Sequence, residues 1–261
     1  MKSTSPRRDC MMKISGNLFL ALSMAFFFSL TVPAFSAEDD APGKELTVPE
    51  KGKQAPKKRK SDRDPARWEK TIKKFEAGDV KMPPPKGAVL LVGGSNARRW
   101  TDVNDHFPKH QVINRGFGGA RLSEVYHFVD RIVLPYKPKT ILVNAGGNDL
   151  GAGQSPKQIR ETARALIAKV RTSLPDTRIH FLGLPIMRRA SANPKGRAVV
   201  MATNNQLAEL ARSEENVEFI DLVPAFLDDD GKYRPELFVK DGVHFSPKGY
   251  AIVAKLISGK L

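Results

Sequence analysis

The stretch AVLLVGGSN, residues 88–96, is the one on which the fold turns. Five apolar residues without polar alternation suit a strand buried on both faces, the habit of parallel sheets. Gly93 and Gly94 then turn the chain, and Ser95 opens a helical stretch. A buried strand that ends in a tight glycine turn and passes into a helix is the first half of a β-α unit.

The same rhythm recurs downstream. Apolar runs stand at HQVIN (110–114), TILVNA (140–145), RIHFLGL (178–184) and VEFIDLV (217–223). Helical stretches separate them at 120–133, 155–174 and 194–215, and a last one covers 246–258, with Ser246 as N-cap and Pro247 at its first position. Five strands alternating with helices predict an α/β fold, a three-layer α/β/α sandwich around a five-stranded parallel sheet. Residues 86–261 are long enough for one such domain, and they contain no internal repeat.

Upstream of the domain the composition changes. Residues 1–13 are basic, 14–30 are apolar and 31–37 are small, which predicts an export signal over 1–36 and a periplasmic or secreted protein. The alternative is retention as a membrane anchor, because an apolar run of about 17 residues lies at the short edge of what spans a bilayer. Arg7 and Arg8 hint at a twin-arginine signal, but the residues around them match poorly. Cys10, the one cysteine, precedes the apolar run, so it is not a lipidated lipoprotein cysteine, and the chain beyond the signal has no thiol with which to form a disulfide. Residues 37–62, rich in Lys, Pro and Gly, predict a disordered basic linker. Residues 63–85 predict a short helix, capped by Asp64 and Pro65 with Trp68, Ile72 and Phe75 on one face, and a Pro-rich connection.

The formal charge is +15; residues 1–85 carry 17 basic and 11 acidic side chains, which leaves +9 for the remainder. The run KKRK at 57–60 lacks the interleaved aromatics on which bases stack, so no nucleic-acid partner is expected. The excess charge favours weak association with anionic envelope surfaces instead.

In a parallel α/β sandwich, ligands bind beyond the carboxyl ends of the strands. The loops there hold GGSN (93–96), NRGFGGA (114–120), AGGNDL (145–150) and DGVHFSPKGY (241–250). A serine hydroxyl becomes a good nucleophile only beside a base, and His244 can be that base if Asp241, three residues earlier, holds one ring nitrogen. The tetrahedral intermediate of ester cleavage needs donors for its oxyanion, and the Ser95 N–H, the Gly119 N–H and the Asn148 amide are candidates. Taken singly, each has a plainer reading: a tight turn, a helix cap, an Asx turn. Together on one rim they describe a hydrolase.

These blocks resemble the SGNH hydrolase superfamily, the GDSL esterases and lipases, in its exported bacterial form. The nucleophile block corresponds to residues 93–96, the oxyanion glycine to Gly119 with Gly118 as the adjacent possibility, the G-x-N-D block to Gly146, Gly147, Asn148 and Asp149, and the D-x-x-H block to residues 241–244. The resemblance implies a flavodoxin-like fold, a serine esterase with Ser95, His244 and Asp241 as its triad, a small-molecule or glycan ester as substrate, and no cofactor or metal. Gly94 stands where the family has Asp or Ser, and Asn96 where it has Leu or Ser, so a looser turn and altered specificity are expected.

Two other classes compete. A non-catalytic glycan-binding module could keep the fold, and a metal-dependent phosphoesterase could recruit Asp149, Asp221, Asp241 and His244. His106 and His110 flank Phe107-Pro108, while His127 and His180 fall inside expected elements, which argues against a metal site. Arg188 and Arg189 lie near enough to the rim to touch an acidic or sugar substrate, or are solvated loop charges.

Overall fold

The computed structural model describes residues 64–261, so the expected signal and linker lie outside the described residues. Asp64 accepts from the Ala66 N–H and caps a turn of 3-10 helix that leads into α1 (Glu69–Lys81). β1 (Val89–Gly93) and α2 (Ser95–Arg99) come next, then α3 (Val103–His106), β2 (Val112–Gly116), α4 (Leu122–His127) and α5 (Val129–Ile132). β3 (Thr140–Asn144), α6 (Gly147–Gly151), α7 (Pro156–Ser173), β4 (Arg178–Leu182), α8 (Arg188–Ser191), α9 (Pro194–Ser213), β5 (Val217–Ile220) and α10 (Pro247–Ser258) complete the chain. The expected helix over 120–133 is interrupted at Phe128, whose ring is buried beside Phe117.

All five strands pair in parallel in the order β2-β1-β3-β4-β5. The chain winds outward from β1 to β2, then returns to the other side of β1 for β3. The switch of direction between β1 and β3 opens a crevice at their carboxyl ends, where such sheets bind ligands.

The unbroken apolar run of β1 is explained by two cores. Leu90 and Val92 point into one, with Ile72, Phe117, Phe128, Ile141, Val143, Ile159 and Leu166. Val89 and Leu91 point into the other, with Trp100, Leu142, Phe245, Tyr250, Val253 and Ile257. Successive residues of a strand face opposite sides, so a sheet covered on both needs apolar residues at every position. β5 lies at the edge, is only half-buried, and is shorter than its apolar run suggests.

α1 docks on the first core, with Ile72 fully buried and Trp68 and Phe75 packed against it. Around this contact Arg131 pairs with Glu69 and Glu76, each at 2.7 Å, and Arg115 pairs with Asp79. Partly exposed ion pairs like those of Arg131 are worth about 0–1 kcal/mol, whereas a buried isoleucine contributes about 1.5–3 kcal/mol. Apolar burial therefore dominates the docking. Ile72→Ala is expected to cost about 2–5 kcal/mol of stability, read as a lower urea midpoint at an unchanged slope.

Candidate active site

β1 and β3 end in register, Gly93 opposite Asn144. At Gly93 the backbone has φ +142°, and a Cβ there would lie 2.0 Å from the Asn144 carbonyl oxygen. No side chain fits. The Gly94 N–H donates to that same carbonyl at 3.0 Å. A Cβ on Gly94 would sit 2.8 Å from Asn148 Nδ2 and 3.0 Å from the Ala120 carbonyl oxygen. Glycine at 94 thus tightens the nucleophile turn against two neighbouring loops, where the sequence suggested a looser one.

Ser95 opens α2 with its hydroxyl 2.9 Å from His244 Nε2. His244 Nδ1 is 2.6 Å from Asp241 Oδ2. The other Asp241 oxygen accepts the backbone N–H groups of Val243 and His244 at 2.8 and 3.0 Å. The His244 ring first, and these N–H groups with it, hold the Asp241 carboxyl well below the usual carboxylate range. A charged carboxylate accepts the Nδ1–H hydrogen bond, which leaves the lone pair of Nε2 facing the serine hydroxyl.

The turn carrying this pair is fixed from outside. Arg188 donates from Nη1 to the Lys240 carbonyl at 3.0 Å and from Nη2 to the Asp241 carbonyl at 2.8 Å, and its backbone N–H donates to Gly242. Its guanidinium is engaged with the turn, so it is not a free loop charge. Arg189 instead lines an apolar groove beside the site, with Leu150, Leu184, Met187 and Val199.

Asn148 lies in the first turn of α6, and its Nδ2 donates to the Ala120 carbonyl at 2.9 Å. An amide NH2 carries two hydrogens, so one remains to offer. Asp149, next in line, is fully buried and accepts the Leu122 N–H with both oxygens, at 2.9 and 3.1 Å. Burial pushes its carboxyl up from its ordinary value, against the pull of those bonds. Sequence reasoning placed Asp149 among possible metal ligands; its carboxylate instead ties α6 to the start of α4. Gly119 lies just before that start with φ +75°, and its carbonyl faces Arg67 at 3.5 Å. Arg67 in turn clamps the buried Glu124 carboxylate, at 2.7 and 2.9 Å. A side chain of the turn before α1 therefore buttresses the β2–α4 loop, a role that no local motif announces.

A cavity of about 110 Å³ opens above the hydroxyl, lined by Gly94, Ser95, Asn144, Asn148, Leu184, Met187, Val243 and their neighbours. Ser95 and Asn148 both line it; Gly119 does not. The remaining candidates are scattered. Asp221 accepts the Val223 N–H, His106 lies 3.6 Å from Asp102, and His127 packs edge-on against Phe128. His180 is buried in β4, where desolvation lowers its pKa against the pull of Glu218. Among the described residues no three His, Cys, Asp or Glu side chains converge to hold an ion.

The sequence profile of the GDSL-like Lipase/Acylhydrolase family matches residues 86–252. Among solved structures, a protein of Streptococcus pneumonia superposes with a TM-score of 0.65 at 21% identity, covering 74% of this chain and 92% of that one. A GDSL-like lipase from Bacteroides thetaiotaomicron gives 0.57 at 18% identity, covering 72% and 95%. The acetyl xylan esterase AlAXEase gives 0.57 at 20% identity, covering 66% and 99%. At these identities the solved structures speak for the fold. Curated proteins yielded no match.

Gly94→Ala is expected to push Asn148 off Ala120 and strain the Ala120 carbonyl, costing on the order of 1–3 kcal/mol. Thermal and urea unfolding of the variant beside the parent check this.

Proposed function

Since the chain belongs to the GDSL-like lipase/acylhydrolase family, and is by that membership an ester-hydrolysing enzyme, we propose that it cleaves carboxylic esters with Ser95, His244 and Asp241 as its catalytic triad. The observation that carries this reading is the unbroken hydrogen-bonded line from Asp241 through both nitrogens of His244 to Ser95 Oγ.

That line sets the chemistry. Ser95 Oγ attacks the ester carbonyl carbon as His244 Nε2 takes its proton, and the carbonyl oxygen becomes an oxyanion. Ser95 and Asn148 line the cavity, and in this reading the Ser95 N–H and the second hydrogen of Asn148 Nδ2 meet that charge, with the Gly119 N–H as a third donor from the adjoining loop. Imidazolium, stabilised by the Asp241 carboxylate, returns its proton to the departing alcohol. Water, deprotonated by the same imidazole, then attacks the acyl-serine, and the acid leaves.

The pocket over Ser95 itself, about 110 Å³, suits a short acyl group such as acetyl, and the apolar groove that shares Leu184, Met187 and Val243 with it is where a longer chain would run. Acetylated glycans are the substrate class this reading favours, and the fold shared with an acetyl xylan esterase supports it. The basic, apolar and small-residue segments of 1–37 support action outside the cytoplasm.

The purified protein is expected to release acetate from acetylated sugars and short aryl esters faster than it cleaves long-chain esters. Ser95→Ala should abolish turnover with unchanged melting. Asn148→Ala should lower kcat by about 10²–10³. Activity should fall toward acid, because attack by Ser95 needs an unprotonated base. The His244 ring and the backbone N–H groups hold the Asp241 carboxyl well below the usual carboxylate range, so its protonation does not set that fall. A flat profile from about pH 5 to 9 would remove His244 as the base.

A further inference from the structure

Asn96, next to the serine, is one of the two departures from the family's nucleophile block, and it is buried. Its amide meets both neighbours of His244. Oδ1 accepts the Phe245 N–H at 3.0 Å, and Nδ2 points to the Val243 carbonyl at 3.4 Å. Its own carbonyl accepts the hydroxyl of Tyr250, on α10, at 2.9 Å. One side chain thus straddles the histidine from the serine side, across 147 and 149 residues of chain.

From this geometry we infer that Asn96 is a positioning residue that sets the distance and angle between Ser95 Oγ and His244 Nε2. The inference rests on the esterase reading and deepens it. Donor and acceptor sit on one rigid plane in an asparagine, so it can grip an N–H and a carbonyl two residues apart. Leucine at this place could fill the space and make neither bond, leaving the Phe245 N–H buried and unpaired. Asp241, the other support of the ring, belongs to the histidine's own turn and is 43% exposed, so it orients the ring without tying that turn to the serine. Arg188 likewise grips the turn from its far side. The Asn96 amide joins the two halves of the site directly.

The test compares Asn96→Leu, Asn96→Ala and Asn96→Asp with the parent on a short aryl ester, alongside Ser95→Ala and the remote core variant Ile72→Val. Asn96→Leu and Asn96→Ala are expected to lower kcat by about 10- to 100-fold, a larger effect than any change in KM, since Asn96 borders the cavity but its amide is spent on residues 243 and 245. Labelling of Ser95 by a fluorophosphonate should slow in parallel. Asn96→Asp keeps the acceptor for Phe245 and should recover part of the loss. Its activity, taken well below its melting temperature, also carries the test if the other two unfold. Ile72→Val lowers stability away from the site and should keep its kcat. Variants of Asn96 within about twofold of the parent in kcat, or losing activity only as they melt, would overturn the assignment. Failure of all three to fold would do the same, making Asn96 a folding residue. In these cases the parent still cleaves and Ser95→Ala does not, so the esterase reading stands. A parent without ester cleavage, or a Ser95→Ala variant as active as the parent, would take both down.

Discussion

Everything at the carboxyl edge of the sheet depends on how closely the end of β1 approaches the end of β3. Gly93 and Gly94 leave no room for a side chain between Asn144, Asn148 and Ala120. That crowding sets Asn148 on the Ala120 carbonyl and puts it on the same cavity as Ser95. The parallel pairing imposes the approach, because β1 and β3 are neighbours in register and both strands must leave the sheet at the same level. A site built this way is rigid by construction: the donors are set by strands whose positions two apolar cores have already fixed.

Polar groups inside that frame are used to weld loops together. Asp149 commits both oxygens to the Leu122 N–H, Glu124 is clamped by Arg67, and Asn114 donates to the Ala97 and Trp100 carbonyls. Each of these groups is at least partly withdrawn from water, so leaving its partner unmet would cost about 1–3 kcal/mol or more. This satisfaction adds to the core burial of Ala97, Val103, Leu122 and Val125 in giving a rim of short helices of four to six residues a defined shape. The turn before α1 belongs to the same scheme, since Arg67 reaches the loop that carries Gly119.

The histidine turn is the one part of the site that reaches the sheet from far along the chain. It is gripped by Arg188 on one side and by Asn96 on the other, and its two flanking residues Phe238 and Phe245 pair across it. Asp241 can remain half in water and still do its work, because a carboxylate that accepts an imidazole N–H and two backbone N–H groups is stabilised as the anion where it stands.

The amino-acid sequence determined the architecture and the cast of residues. Continuous Val, Leu and Ile runs can serve only as strands covered on both faces, and glycine turns, an Asn on a turn and D-x-x-H could be placed by chain order on one rim. Periodicity and turn chemistry are local, so they survive reading one residue at a time. The strand order, the fusion of α1 to the first core, the binding of Leu122 by Asp149, the grip of Arg188 on residues 240–242 and the reach of Asn96 to residues 243 and 245 were settled by tertiary structure alone. The hydrogen bonds among them join residues from 27 to 149 positions apart. No local pattern encodes such a pairing, because an arginine or asparagine finds its partner only after the sheet has brought the loops together.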